Sequence, residues 1–127
     1  MQYPRTARVA ELIQAELASL LLKEVKDPRV RHVVITRVEV SADLGRATVH
    51  FSRYGEGQGS EEEVAEGRKG LERAAGFLQA RLGERLEIRR TPRLTFVPDR
   101  GMAHSDRIER LLLSLRRRER RKKKEAG

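Results

Sequence analysis

Residues 60–82 read SEEEVAEGRKGLERAAGFLQARL, and the way this stretch folds decides the architecture of the 127-residue chain. Ser60, with Glu63 three residues on, has the spacing of a capping box, which satisfies two backbone N–H groups that a helix start leaves unpaired. Glu61 and Glu62 add negative charge at the positive end of the helix dipole. Val64, Leu71, Ala75, Leu78 and Leu82 keep the apolar spacing of a helix through the segment. Gly67, Gly70 and Gly76 interrupt it, each costing up to about 1 kcal/mol relative to Ala. The stretch therefore predicts a helix bent or divided near Ala74-Ala75-Gly76, which makes two helical segments of it.

Upstream, two β-rich runs flank the turn-forming residues 41–45. Val33 to Val40 holds five Val or Ile residues, with Val34, Val38 and Val40 assigned to one face. Arg46 to Tyr54 alternates Ala47, Val49 and Phe51 against Thr48, His50 and Ser52, so an antiparallel hairpin is expected. Further upstream, Val9, Leu12, Ile13, Leu17, Leu20 and Leu21 mark one face of a helix from about Arg5 to Glu24, which Asp27-Pro28 brings to a close. Downstream, Leu86-Glu87-Ile88 and Leu94 to Val97 suggest a third strand, with Pro92 favouring an edge or a bulge. Ser105 can cap a last short helix carrying Ile108, Leu111, Leu112 and Leu115. The expected order is α-β-β-α-α-β: one α+β domain over residues 1–115, with helices on one face of a three-stranded sheet. A disordered basic tail follows over residues 116–127.

The net charge is +9, which favours a polyanionic partner, nucleic acid before an anionic membrane surface. Residues 116–127 hold eight basic and two acidic side chains, so +6 of that charge belongs to the tail and +3 to the body. The absence of Cys rules out disulfides, thiolate metal sites and cysteine nucleophiles. No apolar run approaches the ~18 residues of a membrane span, and the first residues lack the apolar core of a secretory signal, so a cytoplasmic location is expected.

Catalytic signals are absent. His32, His50 and His104 are scattered, with no HExxH, nucleophile-elbow or P-loop pattern. Gly55-x-Gly57-x-Gly59 carries Glu56 where an anion would approach and reads as a linker; Asp43, Asp99 and Asp106 read as turn and cap residues. The expectation is a protein that is not an enzyme and needs neither metal nor cofactor. Gly67-Arg68-Lys69-Gly70 spells the G-x-x-G clamp of KH domains, yet lies inside a helix instead of after one. Phe51, Phe77 and Phe96 fall on predicted core faces, so a base-stacking sheet is not expected. What remains is a set of cations: Arg29 and Arg31 after the first helix, Arg68, Lys69 and Arg73 on the second, and Arg89, Arg90 and Arg93 around the third strand. The tail adds Arg116, Arg117, Arg118, Arg120, Arg121, Lys122, Lys123 and Lys124.

From about Arg5 to Leu112 the sequence resembles bacterial ribosome-binding factor A. The residues that carry the likeness are Arg5-x-x-Arg8-Val9; Glu24-Val25-Lys26-Asp27-Pro28-Arg29; Val38-x-Val40-Ser41-x-Asp43-Leu44 with Ala47-x-Val49; Leu71-x-x-Ala74-Ala75-Gly76-Phe77-Leu78; and Leu86-x-Ile88-Arg89-x-x-Pro92-x-Leu94-x-Phe96, then Asp99 and Arg107-Ile108. The resemblance implies a type-II KH-like fold in which an Ala-x-Gly kink, here Ala74-Ala75-Gly76, replaces the G-x-x-G loop. It adds Arg5, Arg8, Lys26 and the kink itself to the candidate RNA-binding residues. It also implies a role: a monomeric, cold-adaptation-linked factor that binds the immature small ribosomal subunit and assists late maturation and 5′-end processing of its rRNA, in company with ribosomal proteins and other assembly factors. A general RNA chaperone or RNA-binding module is the alternative. Gly101 and Ser105 depart from the Ser and Gly common at those positions, which puts the start of the last helix in question.

Overall fold

The computed structural model describes residues 3–54 and 60–99, together with Leu113, Arg117 and Arg118. Helix α1 (Arg5–Lys23) buries Val9, Ala10, Ile13, Leu17 and Leu20. Leu12, which the sequence pattern places on that face, is half exposed; it sits one residue, about 100°, around the helix from Ile13. A short 3₁₀ turn (Pro28–Val30) follows, opened by Asp27, whose carboxylate accepts the Arg29 backbone N–H at 2.9 Å.

Strands β1 (Val33–Val40) and β2 (Arg46–Arg53) form the expected antiparallel hairpin. The register pairs Ile35 with Phe51 and Val38 with Val49, so β1 spends two residues where β2 spends one. This bulge, at Thr36, shifts the alternation by one residue. Val33 and Ile35 before it and Val38 and Val40 after it therefore pack in one core with Ala47, Val49 and Phe51. Val34 is buried outside that core, not on the face of Val38 and Val40 as simple alternation assigns it. Thr36 is fully buried and its hydroxyl lies 2.6 Å from Asp99 Oδ2 and 3.2 Å from the His50 carbonyl.

Helix α2 (Glu61–Arg85) is a single element of 25 residues, capped by Ser60 Oγ on the Glu63 N–H at 3.1 Å. Of the bend or division expected at Ala74-Ala75-Gly76, the division is not present, and the order is α-β-β-α-β. Packing explains why the glycines do not break the helix. Leu71, Leu78 and Leu82, on both sides of the triplet, are fully buried against the sheet. Gly67 and Gly70 are buried as well, and a Cβ on Gly70 would stand 2.9 Å from Arg29 Cβ and from Val30 Cγ1. Glycine here admits the 3₁₀ turn against the helix, which offsets its propensity cost.

Strand β3 (Arg93–Pro98) pairs in parallel with β2, giving the sheet order β1-β2-β3 with β3 at an edge. Leu86 to Ile88 do not form strand: the Leu86 N–H still closes the last turn of α2 on the Leu82 carbonyl, and Leu86 and Ile88 fill the core from a connecting loop. A parallel partner requires the chain to travel back along the sheet before pairing; α2 makes that return, and these residues join its end to the start of β3. Pro92, buried, immediately precedes the strand. Leu113, Arg117 and Arg118 are helical and exposed; the rest of the expected last helix and tail lies outside the described residues.

Candidate nucleic-acid interface

The ion-pair network separates structural cations from available ones. Arg37 pairs with Glu39, Arg68 with Glu72 and Lys69 with Glu66; Arg81 and Arg85 both hold Glu24, and Arg85 also reaches Glu16 at 2.9 Å. Arg5, Arg8, Lys26, Arg31, Arg73, Arg89, Arg90 and Arg93 are exposed and make no ion pair among the described residues. Arg29 is the exception among the candidates. Its Nε and Nη2 lie 3.1 and 2.7 Å from the two Asp27 carboxylate oxygens. That side-chain contact, helped by the Arg29 backbone N–H and more weakly by the charges of Arg29 and Arg73, lowers the Asp27 pKa to about 2. Arg29 is thus spoken for, and the Arg73 near it is open.

Two cationic regions result, one on each side of α2. On the first, Arg29 and Val30 seat on Gly70, and Arg73 extends the same side toward Asp27. The second is a shallow groove of about 320 Å³ between α2 and the edge of β3, lined by Arg46, Glu72, Ala75, Arg93, Leu94, Thr95 and Phe96. Arg46 and Arg93 stand opposite each other in the β2–β3 register. In a parallel ladder alternate residues face the partner strand. The Arg93 and Asp99 N–H groups go to β2-side carbonyls, of Gly45 and Phe51. Leu94 and Phe96 therefore aim their backbone groups at the groove. Gln79 takes the first of these: its Oε1 accepts the Leu94 N–H at 3.3 Å, while its Nε2 donates to the Pro92 carbonyl at 2.7 Å.

The triplet at positions 74–76 divides its work. Ala75 lines the groove, where a larger side chain would fill it. Gly76 is exposed, and a Cβ there would meet nothing within 4 Å. Arg5 and Arg8 lie on the first turns of α1, Arg8 close to Tyr3, and neither borders the groove.

A profile of the family described as ribosome-binding factor A matches residues 5–112. The chain belongs to the ribosome-binding factor A family. A member from Syntrophobacter fumaroxidans is 44% identical over 119 residues, covering 94% of this chain and all of that protein. The crystal structure of ribosome-binding factor A from Thermus thermophilus superposes with a TM-score of 0.63 at 28% identity, covering 73% of this chain and 93% of that one. A homology model of Thermus thermophilus ribosome-binding factor A, fitted into the cryo-EM map of a complex with 30S, gives 0.59 at 27% identity, covering 75% and 96%.

The family match takes in every described strand and both helices, and it stops at residue 112. The tail cations from Arg116 onward thus lie beyond the family's shared part. Arg46 is the cation that sequence reasoning missed. Its signal is long-range: it becomes a groove residue only through pairing with Arg93, 47 positions on. Among the described residues no group of three or more His, Asp or Glu could hold a metal ion. No helix among them is long and apolar enough to cross a membrane.

Proposed function

We propose that this chain binds the small ribosomal subunit while it is immature and supports late maturation of its rRNA, including processing of the 5′ end, without catalysing a reaction itself. The observation that carries the reading is the groove between α2 and β3. It combines two facing arginines, a small-residue floor at Ala75 and backbone groups turned outward along a strand edge. Arginines at the mouth can meet phosphates, while the edge and the alanine floor accept a sugar or base at close range. The arrangement is read as KH-like, with Ala74-Ala75-Gly76 standing where a G-x-x-G loop would clamp the backbone. The Thermus thermophilus relative fitted to a 30S complex supports the same partner for this chain.

In this reading Arg46, Arg93, Arg89 and Arg90 hold one side of the RNA. Lys26, Arg31 and Arg73 contact the other side of α2, and Arg5 and Arg8 add charge at the start of α1. Tail cations Arg116, Arg117, Arg118, Arg120, Arg121, Lys122, Lys123 and Lys124 supply affinity that does not depend on sequence. Acting as a monomer in the cytoplasm, with a greater demand in the cold, the factor stabilises one rRNA conformation. It can do so only by preferring the immature state, since equal affinity for both states shifts nothing.

Binding of the full chain to purified immature and mature small subunits is the test. Tighter binding to the immature particle is expected; equal binding would leave a general RNA-binding module. Replacing Arg46 and Arg93 together by Glu should weaken binding and flatten the slope of log affinity against log salt by about 2 units, at ~0.9 per phosphate contact. An unchanged slope would remove the groove from the interface.

A further inference from the structure

The three phenylalanines do not share one environment. Phe51 and Phe96 are buried in the core as the sequence predicts, but Phe77 is 43% exposed. It stands on α2 between Arg73 and Arg81 at four-residue spacing, so the three side chains form one ridge. At about 100° per residue, Phe77 is on the far side of the helix from Ala75 and the β3 groove. The ridge belongs to the side where Gly70 receives the 3₁₀ turn and where Arg73 acts on Asp27.

The neighbours of the ring are specific. The Arg81 guanidinium lies over Phe77, its Cζ 5.9 Å from the ring centroid. Arg81 is itself fixed by Glu24 and, at 3.0 Å, by Glu84, which strengthens its hold on a defined position. A cation anchored at one face steadies the ring, so little rotamer freedom remains to be lost when something stacks on the exposed remainder. Arg73, four residues away, is exposed and makes no ion pair among the described residues. An aromatic face beside an available guanidinium matches the two parts of a nucleotide, base and phosphate.

We propose that Phe77 is a stacking platform for an unpaired base of the bound RNA, with Arg73 on the adjoining phosphate. The inference rests on the small-subunit reading above and adds a second contact surface to it, across α2 from the groove. Occupancy by RNA instead of a protein side chain follows from the charges left over here. Asp27, Glu24 and Glu84 are taken up by Arg29, Arg81 and Arg85. Arg73, and Lys26 and Arg31 flanking the turn that seats on Gly70, are exposed and make no ion pair among the described residues.

The test uses the full chain, the purified immature subunit and three variants. Phe77→Leu keeps an apolar side chain but removes the π face; it should weaken binding about 5- to 150-fold, the range for one base–aromatic stack. Phe77→Trp should bind within about threefold of the unchanged protein, because any aromatic face stacks. The chain has no Trp, so the same titration with the unchanged protein gives the subunit's own emission, and after its subtraction the new indole's fluorescence should be quenched as the subunit saturates. Arg73→Gln should weaken binding and reduce the salt slope by about 1 unit. A Leu variant that binds as the unchanged protein does, or an indole whose emission ignores the subunit, would overturn the stacking role and leave the groove reading standing. Failure of the unchanged protein to bind the subunit would instead remove the reading on which the inference rests. Thermal midpoints of the variants, expected within a few degrees of each other, check that each is folded.

Discussion

Substituting two glycines of the same helix by alanine should move stability in opposite directions. At Gly70 a new Cβ would stand 2.9 Å from both Arg29 Cβ and Val30 Cγ1 and 3.5 Å from the Arg29 carbonyl carbon. Carbon atoms at rest sit about 3.5–4.0 Å apart, so the 3₁₀ turn must retreat. Overpacking of this kind costs about 2–3 kcal/mol, and the gain in helix propensity returns about 1 kcal/mol. A net loss of about 1–2 kcal/mol follows, which for a domain of this size lowers the thermal midpoint by about 5–15 °C. At Gly76 the same Cβ meets nothing within 4 Å, so only the propensity gain remains. Gly76→Ala should therefore stabilise by about 0.5–1 kcal/mol. Thermal and urea unfolding of the two variants beside the unchanged chain supply the assay. A Gly70→Ala protein as stable as the parent, or a destabilised Gly76→Ala protein, would refute the packing argument. Should the stabilised Gly76→Ala variant also bind the immature subunit less well, the glycine is retained for a helix shape that binding requires.

Other predictions concern the sheet, the turn and the tail. Thr36→Val removes the hydroxyl that serves Asp99, whose side chain is 7% exposed, and should cost about 1–3 kcal/mol in urea unfolding. Asp27 has a folded-state pKa of about 2 against an ordinary 3.8, so its contribution to stability is present above pH about 4 and lost as pH falls toward 2. Asp27→Asn should remove that part of the acid dependence, seen as a shallower decline of the thermal midpoint across this window. Deleting residues 116–127 should flatten the salt dependence of RNA binding by about six to seven units if each of the eight cations meets a phosphate. A slope change near zero would show that the tail is not engaged.

Local pattern was enough to place α1, the β1–β2 hairpin and the Ser60 cap, because each is set by residues near one another in the chain. What escaped depended on distant partners. The extra residue at Thr36 is silent in a run where Val34, Ile35 and Val38 are all apolar, since either phase of alternation looks acceptable. Gly67 and Gly70 count against a continuous helix until the turn at Pro28–Val30, some 40 residues upstream, is seen resting on Gly70. Leu86 and Ile88 look like strand but are core-filling loop, because a parallel third strand has to start farther along. Among the described residues, most of the candidate cations outside the tail are exposed and make no ion pair. Only the fold could reveal that Asp27 occupies Arg29, that Arg46 joins Arg93, and that Phe77 faces out.

The outward edge of β3 has a consequence for the protein's solubility as well. Leu94 and Phe96 present backbone groups with no neighbouring strand among the described residues, and such an edge can recruit a strand from a second molecule. Gln79 occupies its first amide, and Arg46, Glu72 and Arg93 ring the remainder with charge. Those arginines act as gatekeepers that discourage edge-to-edge association. Neutralising them would expose a sticky template, whereas reversing their charge would keep the guard in place. A neutral variant that binds poorly can therefore be a variant that self-associates, and the Glu replacements are the cleaner probe of the groove.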